Sequence, residues 1–317
     1  MEDLEFKTDP ALVSNLERLF AEQSIISEQR ILEICDVASA LADVIAPLIA
    51  DGMGVYESLS LVADGVDLGE YNRSELTTEE NARTVESTLG ALSRLDRATL
   101  ADLLIDELAE RKIPLGESDF LDEGRGSETF TYVKNAFSDE AYDVFSQDFD
   151  DPRLKYSSTF KECADMVSDG SVTYCLLPLE ERGGARLHTV SELIFRRDFK
   201  INSVTPVFGP DGNADMKYAL VSSGFTVPAA KAGDDRYLEI RLGVREGIAL
   251  SELLLAVDHF SMSVYRVSTV VFDTEGESDA YYSLVIRDGG FGFTKLLAYL
   301  ALFGGDFVPV GIYKNLE

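Results

Sequence analysis

The stretch that decides the fold begins at Tyr237-Leu-Glu-Ile-Arg-Leu-Gly-Val244, which reads as a strand. Ala249–Phe260 follows as a helix and Met262–Phe272 as a strand; Glu275-Gly276-Glu277 turns the chain into a strand over Tyr281–Arg287. Phe293–Phe303 is then a helix and Phe307–Tyr313 a closing strand. The order β-α-β-β-α-β is that of a ferredoxin-like split unit.

Working back towards the N-terminus, Phe225 to Asp235 has the composition of a linker. Before it, strands and helices alternate. Strands are expected at Phe130–Lys134, Val172–Leu177 (stopped at Pro178), Ile201–Phe208 and Lys217–Ser222, and helices at Asp139–Phe149, Phe160–Ser168 and Val190–Arg196. Gly209-Pro-Asp-Gly212 is a turn between the last two strands. Leu115 to Thr129, polar and glycine-containing, is the best linker candidate in the chain. The segment before it is helical: Asp9-Pro10 starts one helix, Ser27-Glu28 a second that ends at Asp51-Gly-Met-Gly54, Thr77-Thr78-Glu79-Glu80 a third, and Ala98–Arg111 forms another. The expected organisation is therefore an acidic helical domain over 1–115, a small α/β domain over 127–225 and a βαββαβ domain over 235–317.

The 317 residues carry 57 Asp plus Glu against 28 Lys plus Arg, a net charge of −29. Such a chain repels phosphate backbones and anionic lipid, so neither nucleic acid nor a membrane surface is an expected partner. The acidic first ten residues do not read as a signal peptide, and Glu33, Asp36, Asp43 and Pro47 break the most apolar helical stretch, so a cytoplasmic protein is expected. Cys35, Cys163 and Cys175 fit no zinc or C-x-x-C spacing and read as reduced thiols. With His188 and His259 the only histidines, neither a His-based triad nor a two-His metal site is expected. Gly289-Gly-Phe-Gly292 lacks the ending of a phosphate loop and reads as a turn.

Asp169-Gly-Ser-Val-Thr-Tyr-Cys-Leu-Leu-Pro-Leu-Glu180 is similar to the G-x-A-D-Y-G-V-V-P-I-E-N strand of prephenate dehydratases. Ala136-Phe-Ser-Asp-Glu-Ala141 resembles that family's T-F-S-E-x-A helix start, and Asp215-Met-Lys-Tyr-Ala-Leu-Val221 stands where its T-R-F strand would be. Phe307-Val-Pro-Val-Gly-Ile-Tyr313 resembles the closing strand of the C-terminal ACT regulatory domain. By this resemblance the middle segment is a periplasmic-binding-protein-like lobe, Ser138, Glu180, Glu181 and Lys217 line the place of catalysis, and the last segment is an ACT domain that pairs in a homodimer. The family's phenylalanine-binding positions fall on Ile248, Ala249, Leu250, Ser268 and Thr269, with Gly247 in place of the family's glycine if the register slips by one. No cofactor is implied.

The departures point away from turnover. The family's Asn is Glu181 here, its Thr-Arg-Phe is Met216-Lys217-Tyr218, and its Gly-Pro-x-Gly-Thr loop is absent before Phe137. An extra carboxylate stands where a dicarboxylate substrate would sit. Only Asn202 to Asp215 separates the points between which the family inserts a second lobe, enough for a hairpin and no more. The expected molecule is a one-lobed relative whose old pocket lies open to water, non-catalytic or regulatory, binding an aromatic amino acid or another small carboxylate. The alternative is an active prephenate dehydratase, or a chorismate mutase using Arg18, Arg30, Arg83 and Arg94 of the helical segment, as in bifunctional relatives. Pairing of those arginines with neighbouring acids is the competing, structural reading.

Overall fold

A computed structural model describes residues 10–63, 89, 92–121, 124, 127–209, 214–226, 235–244, 248–274, 277–305 and 307–314. Helix α1 spans Pro10–Ala50, α2 Val55–Ala63 and α3 Arg94–Glu110. Then come β1 Thr129–Val133, α4 Ala136–Phe145, β2 Arg153–Ser157, α5 Phe160–Ser168, β3 Tyr174–Glu181, α6 His188–Arg196, β4 Lys200–Phe208 and β5 Ala214–Ser222. The chain closes with β6 Arg236–Gly243, α7 Leu250–His259, β7 Ser263–Thr274, β8 Glu277–Arg287, α8 Thr294–Phe303 and β9 Phe307–Lys314.

The nine strands among the described residues form one sheet in the order β2-β1-β3-β5-β4-β9-β6-β8-β7. On the β1 side, β1 is parallel to both β2 and β3. Strand β5 is antiparallel to β3 and β4. On the other side, the order β9-β6-β8-β7 with antiparallel neighbours is the ferredoxin-like arrangement expected from the sequence. The halves meet where β4 runs parallel to β9 at Ile201↔Gly311. A Cβ on Gly311 would stand 2.7 Å from Ile201 Cβ and 2.8 Å from its carbonyl oxygen, so the absent side chain permits the seam.

Period-2 alternation gives the C-terminal sheet two different faces. Leu238, Ile240 and Leu242 of β6 join a core with α7 and α8, and the same core takes in Ile34, Leu41, Ile45, Leu100, Leu104 and Leu108 of α1 and α3. Tyr237 of β6, Val285 of β8 and Val310 and Tyr313 of β9 belong to a different cluster, with Val190 and Ile194 of α6 and the core of β3–β5. The helical segment and the α/β segment thus cover opposite faces of the βαββαβ unit.

Three local expectations are corrected. Helix α1 runs unbroken through Ser27, because no glycine or proline stands there, and Pro47 falls only in its last turn, before Gly52 at φ +94°. Strand β3 continues past Pro178 to Glu181, its ladder with β5 shifting register between Pro178 and Glu180, which accommodates the missing N–H. The first part of the Leu115–Thr129 stretch, through Leu121, is docked rather than loose. Phe120 and Leu121 are buried, the Glu117 carboxylate pairs with the fully buried Arg236, and it accepts the Phe293 N–H at 2.7 Å. The helix expected at Thr77–Glu80 and much of the second linker lie outside the described residues. Among those described, no helix is long and apolar enough to cross a membrane.

Candidate functional site

The β3 bulge delivers Glu180 opposite Lys217 of β5, whose Nζ lies 3.4 Å from Glu180 Oε2. Past Glu181 the chain turns back at Gly183 and Gly184, both at positive φ, and Arg186 returns as a bridge partner of Glu180. Its Nε stands 3.4 Å from Glu180 Oε1. The third cation comes from 86 residues away: the β7 ladder shifts register between Val264 and Arg266, and Arg266 Nη1 donates to Glu180 Oε1 at 2.5 Å.

Glu180 is 4% exposed, so the expectation of a pocket open to water is corrected. The C-terminal sheet covers the carboxylate: its Tyr237, Tyr265 and Tyr313 line the space beside Glu180. The space left beside Glu180 is about 10 Å³, room for about one water. Burial alone would raise the Glu180 carboxyl, but the Arg266 hydrogen bond and the charges of Lys217 and Arg186 outweigh it and hold the group below its ordinary range.

The network continues through Arg186. Its Nη2 donates to Glu239 Oε2 at 2.6 Å, and Glu239 also accepts from Tyr313 Oη and Ser283 Oγ, each at 3.3 Å. Burial works against the Arg186 charge, and Glu239 more than restores it, raising the guanidinium above its ordinary value. One position further along the same face of β6, Arg241 is much less compensated. Its Nη2 lies 3.6 Å from the largely exposed Asp198 carboxylate and its Cζ 4.4 Å from the Phe195 ring centre. Its Nε and Nη1 are buried with no hydrogen-bond partner among the described residues. Burial lowers its pKa.

Arg186, Glu239 and Arg241 line a cavity of about 60 Å³ between α6, β4 and the C-terminal sheet. Ser191, Ser268 and Ser283 bring hydroxyls to it, and Ile194, Ile201, Val270 and Val310 form an apolar wall. Around Glu180 and this cavity stand four cations (Arg186, Lys217, Arg241, Arg266) and two buried carboxylates (Glu180, Glu239), a local positive excess inside a chain of net charge −29.

The residues singled out from sequence are partly brought together. Glu180 and Lys217 meet, and Glu181, exposed, follows on the loop. Ser138 is 1% exposed and caps α4: its Oγ accepts from Asn135 N and donates to Val133 O, each at 2.9 Å. Ile248 is in the helix-side core, Ala249 is the N-cap of α7 and Leu250 its first residue, whereas Ser268 lines the cavity on the opposite face and Thr269 is exposed. Gly247 lies outside the described residues. In the helical segment Arg30 pairs with Asp96 and Glu33, whereas Arg94, among the described residues, reaches no neighbouring acid but Glu252 of α7, at 3.4 Å. The side chain of Arg18 and all of Arg83 lie outside the described residues. Cys35, Cys163 and Cys175 are unpaired thiols. The Gly289–Gly292 stretch is a turn filled by the Asp288 carboxylate, which accepts the N–H groups of Gly290, Phe291 and Gly292.

Sequence reasoning missed Arg186, Glu239, Arg241 and Arg266. A faint signal for two of them was present: Glu239 and Arg241 alternate with Leu238, Ile240 and Leu242, and charges on the second face of a central strand need partners if another layer covers it.

No family model matches the sequence, and no curated protein matches it significantly. Among solved structures, prephenate dehydratase from Streptococcus mutans is similar over 60% of this chain and 100% of its own, at TM-score 0.48 and 12% identity. A structure described as GqqA, a novel type of quorum quenching acylase, covers 60% of this chain and 96% of its own, at TM-score 0.45 and 19% identity. Prephenate dehydratase from Arthrobacter aurescens, in complex with L-Phe, covers 58% of this chain and 89% of its own, at TM-score 0.43 and 11% identity. At these values the likeness assigns no function to this chain.

Proposed function

We infer that this chain is a prephenate-dehydratase-like protein without turnover, in which an ACT-like sheet has closed over the family's glutamate position and the molecule serves as a regulatory, carboxylate-responsive protein. The observation that carries this reading is the state of Glu180: 4% exposed, held by Arg266, Arg186 and Lys217, with room beside it for about one water. A ring bearing two carboxylates does not fit there. An ionised carboxylate held below its ordinary pKa is also a poor proton donor to a leaving hydroxyl. A homodimer is part of the reading, formed through β7, an edge strand of the described sheet on which Val267 and Val271 are 43% and 50% exposed.

The test is a steady-state assay of purified full-length protein with prephenate and with chorismate, alongside sedimentation. The expected result is no phenylpyruvate above the acid-catalysed background, no mutase turnover, and a dimer. Sustained turnover of either substrate, lost in Glu180→Gln or Lys217→Met, favours the active-enzyme alternative.

A further inference from the structure

The geometry points to the cavity between α6 and the C-terminal sheet as a binding site for a small aliphatic carboxylate, anchored by Arg241. The inference rests on the reading of the chain as ligand-responsive and adds the place, the anchoring residue and the ligand class. It also changes the ligand expected from the sequence.

A buried guanidinium is costly unless its N–H groups find acceptors and its charge a counter-ion. Arg186, its neighbour, has both in Glu239 and Glu180. Arg241 has one longer ion pair, at 3.6 Å to Asp198, itself 68% exposed and therefore weakly felt, and two nitrogens without acceptors. The deficit is one anion with two acceptor oxygens, which is what a carboxylate offers to a guanidinium fork. Ser268 and Ser191 can donate to the same group from the cavity wall. The local positive excess, inside a strongly acidic chain, favours that anion over a neutral guest.

Size sets the remainder of the ligand. A cavity of about 60 Å³ takes about four to six waters and is less than half the dry cavity of about 150 Å³ that holds benzene, so the guest is an acid of about four or five non-hydrogen atoms. The wall away from Arg241 is Ile194, Ile201, Val270 and Val310, suited to a hydrocarbon tail of one or two carbons. Phenylalanine is too large. A 2-amino and a 2-oxo acid of this size share the chemistry, and Glu239, already occupied by Arg186, Tyr313 and Ser283, does not decide between them.

The experiment is thermal melting and calorimetric titration of the full-length protein with acetate, propanoate, glycine, phenylalanine and the uncharged propan-1-ol. Wild type is expected to melt about 4 °C higher at a hundredfold excess of a bound aliphatic acid over its Kd, and to show no shift with phenylalanine or the alcohol. Arg241→Met removes the anchor and Ser268→Leu fills the cavity; each is expected to abolish the shift, and the second decides the matter if the first fails to fold. Absence of any shift with all three acids at millimolar concentration overturns the site, as does an equal shift with the alcohol or one that survives the folded variants. Prephenate turnover on the same preparations separates the two claims: turnover with intact acid binding defeats only the non-catalytic reading, and no turnover with no binding defeats only the site.

Discussion

Replacing Glu180 by Gln tests the wall that the C-terminal sheet supplies. The carboxylate interacts with Arg266 at 2.5 Å and with Arg186 and Lys217 at 3.4 Å. Breaking a buried ion pair from one side costs about 3–5 kcal/mol, because the remaining charges are left without a partner. Here Arg186 keeps Glu239, and Lys217 and Arg266 retain 24% and 20% exposure, so part of their solvation is recovered. We therefore expect about 2–3 kcal/mol. At about 2.1 cal/mol/K per residue over 317 residues, the unfolding entropy is about 0.7 kcal/mol/K, so melting should fall by about 3–5 °C at neutral pH. Glu181→Gln, one residue away on the exposed loop, should change it by less than about 1 °C.

The pH dependence of the gap is the sharper reading. The folded Glu180 carboxyl titrates below its unfolded value of about 4.3. Its stabilisation is therefore complete above the unfolded value and is lost as pH falls through the folded one. Glu180→Gln has no such loss, so the difference between wild type and variant should be constant from pH 7 to about 5 and shrink below about 4. Differential scanning calorimetry at several pH values measures this directly. Equal melting of the Glu180 and Glu181 variants, or a gap that does not narrow in acid, would refute the clamp.

Gly311→Ala should cost about 1–3 kcal/mol, because its Cβ meets Ile201 at 2.7 Å in a parallel seam that cannot open locally; hydrogen exchange should show faster opening of β4 and β9 before the rest of the sheet. Glu252→Gln should lower stability by about 2–4 kcal/mol in urea titration, since Glu252, 8% exposed, accepts from Arg97 at 2.8 Å between α3 and α7. Arg94→Ala, at 59% exposure on the same carboxylate, should stay within about 0.5 kcal/mol in the same titration. Ser138→Ala should cost about 1–2 kcal/mol through the α4 cap, measured by urea titration, with no change in carboxylate binding, because its hydroxyl is spent on Asn135 and Val133.

The βαββαβ unit was legible because both of its periodicities are carried by local residues. Leu238, Ile240 and Leu242 alternate as a strand must, Leu253, Ala256 and Val257 recur as a helix must, and the turns carry glycine. Element bounds accordingly agree within a few residues: Phe293–Phe303 was read and Thr294–Phe303 forms. Strand β2 escaped notice because Arg-Leu-Lys-Tyr-Ser is short and lies at the sheet edge, with only Leu154 and Tyr156 apolar and Tyr156 exposed, so its alternation marks no buried face. The apparent helix break at Ser27 failed for the opposite reason: Ser-Glu is a start signal only where the preceding residues cannot be helical, and nothing before it forbids the helix.

The site was legible only where it is local. Glu180 and Lys217 both lie within the α/β segment on strands that the resemblance places, and they meet because β5 folds back from β4 to lie beside β3. What surrounds them was not legible, since Arg266 and Glu239 come from a separate unit whose docking face is set by tertiary packing. The inference that a lost lobe leaves an open pocket treated the segments as independent, each with its own solvent. Yet the βαββαβ sheet has two faces, and its helices cover only one. The other face carries Tyr237, Tyr313 and Val310, residues that would be exposed if it met water, together with Glu239 and Arg241, which would need no partners there. A face of that mixed character is satisfied by a layer bringing both hydrocarbon and countercharge. The α/β segment brings both in α6, in Arg186 and in Glu180. The fit is complete for Glu239 and incomplete for Arg241, and that asymmetry, rather than any motif, is where the chain leaves space for a ligand.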